Sequence, residues 1–414
     1  MIKRIVRATG YSGLGRFFST LGNMLFVLAV TRHLDASALG VYGLLFFFTQ
    51  LFSGITPLGH PMYLAREVAH RRDDEAKLGA SLGDGGSALF WGGALSALIW
   101  LVLAIFYHRL PPDLLNLAVI AGVLWGIEYL LCGVLIGLER LAVNALWHGV
   151  SLGMIVVALF LQDTFPLTLT ALFWVRIIAT TVGLMGRIWA MKGLGRLFVF
   201  SWKLSSYKES SFFWYSGWVY MASRQLDVLV LSFFLSEGVL GGYFLALRIF
   251  LTFGIVAEVL GVALIPFISR AYHGHEERSL EWLFKMVLCG TFLVGIPLGL
   301  LFYFGRYGLI AFFNPLLVST VSPLLTGLSL VVPFSLGNHL VGAFFSASAY
   351  QRERFFIHLW VILATFLALV PLVLLSSVAG AIWVKMGSET LLFIILVWRF
   401  WKKLPLQQKE SLLG

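Results

Sequence analysis

A chain of 414 residues, 59% hydrophobic, only 12% charged and with a mean hydropathy of +0.90, lies outside the range of water-soluble globular domains, so its solvent is lipid. The formal charge of +10 raises nucleic acid as a partner, but there is no basic helix or folded module to carry one. No glycine-rich loop ending in Lys-Ser occurs, so ATP-driven transport by this chain alone is unsupported; no loop between spans is long enough to house hydrolytic or transferase residues, and an enzyme is not expected.

A bilayer core about 30 Å thick takes roughly 20 apolar residues per helical crossing, and backbone polar groups in hydrocarbon must be bonded within a helix or a closed barrel. Stretches such as Leu114 to Leu138 and Phe356 to Leu375 run without the period-two alternation of barrel strands, which leaves helices. In chain order the expected spans are 12–31, 38–59, 84–107, 114–137, 144–161, 168–190, 210–234, 239–265, 281–304, 317–345, 356–376 and 379–401. The fold class is therefore an all-α membrane protein of about twelve transmembrane helices in two pseudo-symmetric six-helix lobes around a central cavity. The lobes are 1–190 and 210–401, with a cytoplasmic linker at 191–209 and a cytoplasmic tail at 402–414.

Lys3, Arg4 and Arg7 precede the first apolar run, but polar residues inside that run and the lack of a small-residue cleavage site make it a span and not a cleaved signal. With the amino terminus in the cytoplasm, 22 of the 30 Lys and Arg fall inside, Arg187 among them, and only Arg32, Arg109 and Arg306 outside. That asymmetry is the positive-inside signal and explains the basic balance. Cys132 and Cys289 both lie in apolar spans, and no disulfide is expected. The linker is the most basic loop; its Leu194, Leu197 and Phe198 either lie on the membrane surface or belong to a plain connector.

The halves repeat each other. Tyr11-Ser12-Gly13 opens the first span and Tyr215-Ser216-Gly217 the seventh; Gly40-Val41-Tyr42 heads the second and Gly241-Gly242-Tyr243 the eighth; Arg66 and Arg270 follow at their cytoplasmic exits. Six spans per half insert both copies in one orientation, with the pseudo-symmetry axis along the membrane normal.

Polar residues at membrane depth carry the chemistry, since a central Arg, Lys or Asp costs about 2.5–3.5 kcal/mol on insertion scales. Ser12, Arg16, Ser19, Thr20 and Asn23 share one face of the first span, and Ser216, Tyr220, Ser223, Arg224 and Asp227 repeat that spacing on the seventh. Two such stripes are expected to face each other across a water-filled cavity, with Arg176, Glu128, Arg248, Glu258, Lys385 and Glu389 around them. Substrate-binding candidates are Arg16, Ser19, Asn23, Arg176, Tyr220, Arg224, Arg248 and Lys385; ion-coupling candidates are Asp227, Glu128 and Glu258. The alternatives are structural. Arg224 with Asp227 and Lys385 with Glu389 have the spacing to neutralise each other along their own helices, and Arg16 has the reach to snorkel. Glu128 and Glu258 lack a basic partner at helical spacing, so each is protonated, bonded across helices, or a proton site. His60, His148, His339 and His358 show no metal-ligand spacing and read as packing residues.

The run "LAVTRHLDASALGVY" at Leu28 to Tyr42, followed by Leu58-Gly59 and Ala65-Arg66-Glu67, resembles the opening of Wzx-type oligosaccharide-lipid flippases. These belong to the multidrug, oligosaccharidyl-lipid and polysaccharide exporter superfamily. Asp227 through Leu235 to Gly242-Tyr243, then Pro266 to Arg270, resembles the second half. The resemblance implies twelve helices in two lobes, alternating access, a bacterial inner membrane with both termini cytoplasmic, and assembly of O-antigen, capsule or exopolysaccharide. Arg16 is similar in position to a cavity arginine of related peptidoglycan-precursor flippases, whose two extra carboxy-terminal helices are not seen here.

A site rich in arginine attracts an anion. The pyrophosphate of an undecaprenyl-linked oligosaccharide offers forked acceptors for guanidinium groups, and hydroxyl, amide and aromatic side chains suit its sugars. The expected cargo is that lipid, with membrane lipids, a polysaccharide polymerase and a chain-length regulator as further partners. No cofactor is expected; H+ or Na+ is the candidate coupling ion. A cation-coupled drug or metabolite antiporter of the same superfamily stays open as the alternative, and a glycan polymerase or ligase as a more distant one.

Overall fold

The computed structural model describes residues 28, 30–32, 34–71, 74–160, 168–192, 205–273, 277–348 and 350–410; at some helical positions only the backbone is described. Among the described residues the secondary structure is helical, without strands. The helices are α1 (Ala36–Ile55), α2 (His60–Arg71), α3 (Glu75–Phe106), α4 (Pro112–Gly137), α5 (Leu141–Phe160), α6 (Leu169–Ala190), α7 (Ser205–Ser232), α8 (Glu237–His273), α9 (Glu277–Phe313), α10 (Val318–Ser329), α11 (Val332–Ala347), α12 (Gln351–Ser376) and α13 (Val378–Glu410). Every expected span from 38–59 onward falls on these helices; the span at 12–31 lies almost wholly outside the described residues. Eight described helices are long and apolar enough to cross a membrane, nine if α10 and α11 form one bent span.

Helix ends follow local chemistry. The Asp74 side chain accepts from the Lys77 backbone N–H and opens α3, Thr168 does the same for Ala171 at α6, and Pro112 occupies the first turn of α4, where its missing N–H costs nothing. Hydrogen bonding to Lys77 holds the Asp74 carboxyl below its ordinary range. Between α1 and α2 the chain turns through Leu58 and Gly59, both at positive φ, 44° and 75°. A side chain on Gly59 would also strike the Trp214 backbone nitrogen at 2.6 Å. The 53° bend between α10 and α11 sits just before Pro333 in the first turn of α11, where a proline cannot continue the preceding ladder.

By contact density the chain divides into two units, Met1–His33 with Val41–Met221, and Leu34–Gly40 with Ala222–Gly414. The division runs through α7. The reason is visible in each half of that helix: Tyr207 bonds Ser87 on α3 at 3.2 Å, whereas the Ser223 carbonyl and Arg224 bond partners on α13 and α11.

In the first unit α4 packs on α2 and α6, α6 on α5, and α2 also on α3. Gly122, Gly126, Gly133 and Gly137 line the face of α4 that meets the backbone of α1 and α2, the close approach that small residues permit where no hydrophobic effect drives helices together. Tyr63, Leu64, Leu130 and Val134 form a buried cluster there. In the second unit α11 is central, packing on α8, α9 and α13, with α12 against α13. The start of α1 joins this unit, where the Ser37 hydroxyl bonds Glu237 at 2.6 Å and Asn314 donates to the Leu34 carbonyl at 3.1 Å. β-Carbons on Gly40 and Gly241 would collide with the carbonyls of Glu237 and Ala36, so the glycines of the two repeat landmarks let those helix starts touch. Tyr42 and Tyr243, seventh residues of α1 and α8, are both 1% exposed.

Candidate functional site

The second unit gathers five ionisable side chains from the expected set. Arg224 on α7 reaches His339 on α11, with Nη2 and Nε2 3.2 Å apart. One turn on, the Asp227 carboxylate accepts the Tyr243 hydroxyl at 2.5 Å and the Val228 backbone N–H at 2.9 Å, and Lys385 and Arg248 lie within its electrostatic reach. The Lys385 ammonium donates to the Ser223 carbonyl at 3.0 Å and pairs with Glu389 at 3.3 Å, four residues along α13. Asn338 on α11 donates to the other Glu389 oxygen at 2.8 Å. The Arg248 guanidinium stands over the Phe244 ring, 4.7 Å from its centroid.

Lys385 and Glu389 thus take the same-helix pairing, while Asp227 bonds the repeat-landmark tyrosine of the neighbouring helix. Arg224, Arg248 and Lys385 against Asp227 and Glu389 leave the group cationic when all five are ionised, in surroundings that favour a compensating anion.

The first unit holds the other described candidates. Arg176 on α6 is buried, its guanidinium 4.4 Å from the Trp125 ring centroid and 5.5 Å from that of Phe46, with the Tyr42 hydroxyl beside it. Stacking on aromatic faces is a way to keep a guanidinium at membrane depth. Glu128 on α4 is bonded across helices, 2.8 Å from Arg187 on α6. The Arg187 side chain is 0% exposed, fixed by Asn144 Oδ1 and the Gly183 carbonyl, each at 3.1 Å. The pair forms because neither charge is tolerated alone in that interior.

Tyr220 borders an open groove of about 270 Å³ in the first unit, lined also by Gln50, Tyr129, Phe213, Trp214 and Trp218. Arg16, Ser19 and Asn23 lie outside the described residues, as does the side chain of Glu258.

Sequence reasoning missed His339, Asn338 and Arg187 as partners. Their contacts join helices distant in sequence, so no helical spacing announces them. Tyr42 and Tyr243 were legible as repeat landmarks, and that recurrence was the available signal that each contacts a charged side chain.

A family model described as "Polysaccharide biosynthesis protein" matches residues 5–272. No curated protein matches the chain. Among solved structures, an inward-facing multidrug-resistance MATE transporter of the MOP superfamily is 14% identical at a TM-score of 0.78, covering 96% of this chain and 99% of its own. A MOP superfamily transporter from Pyrococcus furiosus, reported with reversed binding-pocket polarity, is 12% identical at 0.69, covering 98% and 96%. The eukaryotic MATE transporter AtDTX14 is 14% identical at 0.63, covering 99% of each. The chain has the all-helical fold of these membrane transporters.

Proposed function

We propose, from the premise that this chain belongs to the polysaccharide biosynthesis protein family, that it is a flippase carrying undecaprenyl pyrophosphate-linked oligosaccharide from the inner to the outer leaflet of a bacterial inner membrane by alternating access. The observation that carries the reading is the cationic excess of Arg224, Arg248 and Lys385 over Asp227 and Glu389. Arg224 and Arg248 bind the pyrophosphate; Lys385, held to the Ser223 carbonyl, keeps the site positive. A cationic drug is repelled by the same balance, which disfavours the antiporter alternative. Asp227, bonded to Tyr243, is the ion-coupling group, with H+ or Na+ as the ion. Both termini are cytoplasmic, and a polymerase and a chain-length regulator receive the product.

Charge-assisted hydrogen bonds contribute about 1.5–3 kcal/mol each, so Arg224→Ala lowers surface-glycan export by roughly tenfold to a hundredfold while the protein remains in the membrane. Complementation of a deletion strain, with an immunoblot of the membrane fraction, measures both. Wild-type export by a normally inserted variant removes Arg224 from the site. Lipid-linked oligosaccharide accumulating on the cytoplasmic face of the deletion strain separates a flippase from an antiporter or a polymerase.

A further inference from the structure

One end of α13 gathers basic and aromatic side chains on the outer surface of the second unit. Exposed positions recur along this helix at Trp383, Gly387, Leu391, Ile394, Trp398 and Trp401, steps of three and four that make one continuous stripe. Lys385 and Glu389 are on the opposite, inward face. The rise from Trp383 to Trp401 is roughly 27 Å of helix, close to the hydrocarbon thickness of about 30 Å, so the indoles stand where tryptophan concentrates, at the two membrane interfaces.

Basic groups crowd one of those interfaces. The Lys402 ammonium is 4.1 Å and the Arg399 guanidinium 5.1 Å from the centroid of the Trp398 ring, and both residues are exposed. Glu353 in the first turn of α12 pairs with Arg399 at 3.5 Å and with Lys403 at 3.4 Å. That bridge ties α12 to α13 and fixes where Arg399 stands. Among the described residues it sets one shared carboxylate against the three cations of α13.

We infer that this corner binds one anionic phospholipid of the surrounding bilayer. The phosphate lies between Lys402 and Arg399 beside the Trp398 ring, and an acyl chain follows Ile394 and Leu391 toward Gly387, where a β-carbon would meet nothing within 4 Å. Charge complementarity selects the headgroup, since a zwitterionic lipid brings a cation of its own against the two side chains. An acidic protein segment matches the charges but not the apolar stripe, which continues into the membrane span. The site is on the outward face of α13, so the inference goes beyond the flippase reading and does not depend on it.

The test uses the full chain in neutral detergent, titrated with phosphatidylglycerol or phosphatidylcholine and read by native mass spectrometry. The first phosphatidylglycerol is expected to bind about twentyfold more tightly than phosphatidylcholine, each basic residue contributing about fivefold. Lys402→Gln and Arg399→Gln each remove about fivefold of that preference, and the two together bring it near parity; Lys402→Arg retains it. Trp398→Leu, which changes no charge, reduces it severalfold. Lys285→Gln, at the same end on α9 with its ammonium 5.7 Å from the Trp401 ring centroid and paired with Glu281, changes it less than about twofold.

Equal wild-type affinity for the two lipids overturns the inference. So does a loss from Lys285→Gln as large as that from Lys402→Gln, which is the signature of a diffuse basic surface. Undecaprenyl pyrophosphate displacing phosphatidylglycerol at a tenth of its concentration or less assigns the corner to the cargo instead. None of these results decides the Arg224 export experiment, so the two readings fail separately.

Discussion

At the residue scale, the ion pair between Glu128 and Arg187 makes the sharpest claim. Breaking a buried pair by removing one partner costs about 3–5 kcal/mol, because the other charge is left uncompensated. Arg187→Leu is therefore expected to lower the melting temperature of purified protein strongly, and the double replacement Glu128→Leu with Arg187→Leu to recover most of the loss. A proton-carrying Glu128 gives a different result: Glu128→Gln then abolishes the pH dependence of transport while the fold survives. The residue types of this network were legible in the sequence, and cross-helix bonding was among the readings open for Glu128. Its partner was not legible, because Arg187 lies near a helix end, where a basic residue ordinarily reports topology.

At the element scale, glycines sort into two classes by what surrounds them. A β-carbon on Gly241 collides with the Ala36 carbonyl, so Gly241→Ala is expected to push α8 off the start of α1. Less folded protein in a detergent-solubilised, size-exclusion assay reads this out. Gly93 and Gly387 meet nothing within 4 Å, and alanine at either, in a helix interior, is expected to be neutral or to stabilise by about 0.5–1 kcal/mol. Helix positions were readable from apolar run length alone. The bend at Leu330 and Val331 was not, since the expected span 317–345 ran straight across it although Pro333 lay inside. The break at Leu58-Gly59 was legible as a motif but not as geometry; α8 runs unbroken through the corresponding stretch of the other half.

At the scale of the whole molecule, the orientation proposed from the basic residues would put the turn between α3 and α4 outside and that between α4 and α5 in the cytoplasm. With Cys132 and Cys289 replaced, Arg109→Cys is expected to react with a membrane-impermeant thiol reagent in intact cells, and Arg140→Cys only after permeabilisation. The reverse pattern inverts the orientation drawn from the basic residues. The all-helical membrane fold was legible because the bilayer sets span length and forbids unpaired backbone. The division within α7 was not, since it arises from packing partners and not from composition.

The Glu128–Arg187 pair also constrains how the chain is made. Glu128 on α4 leaves the ribosome 59 residues before Arg187 on α6, a delay of about 3–12 s at ordinary synthesis rates of about 5–20 residues per second. Through that interval the carboxylate lacks the Arg187 guanidinium, and the cost of its burial is not offset until α6 arrives. Lys385 and Glu389, four residues apart on α13, emerge together and enter as a neutral couple. The first unit therefore matures as a joint event of α4 and α6, whereas α13 can be handed to the lipid on its own.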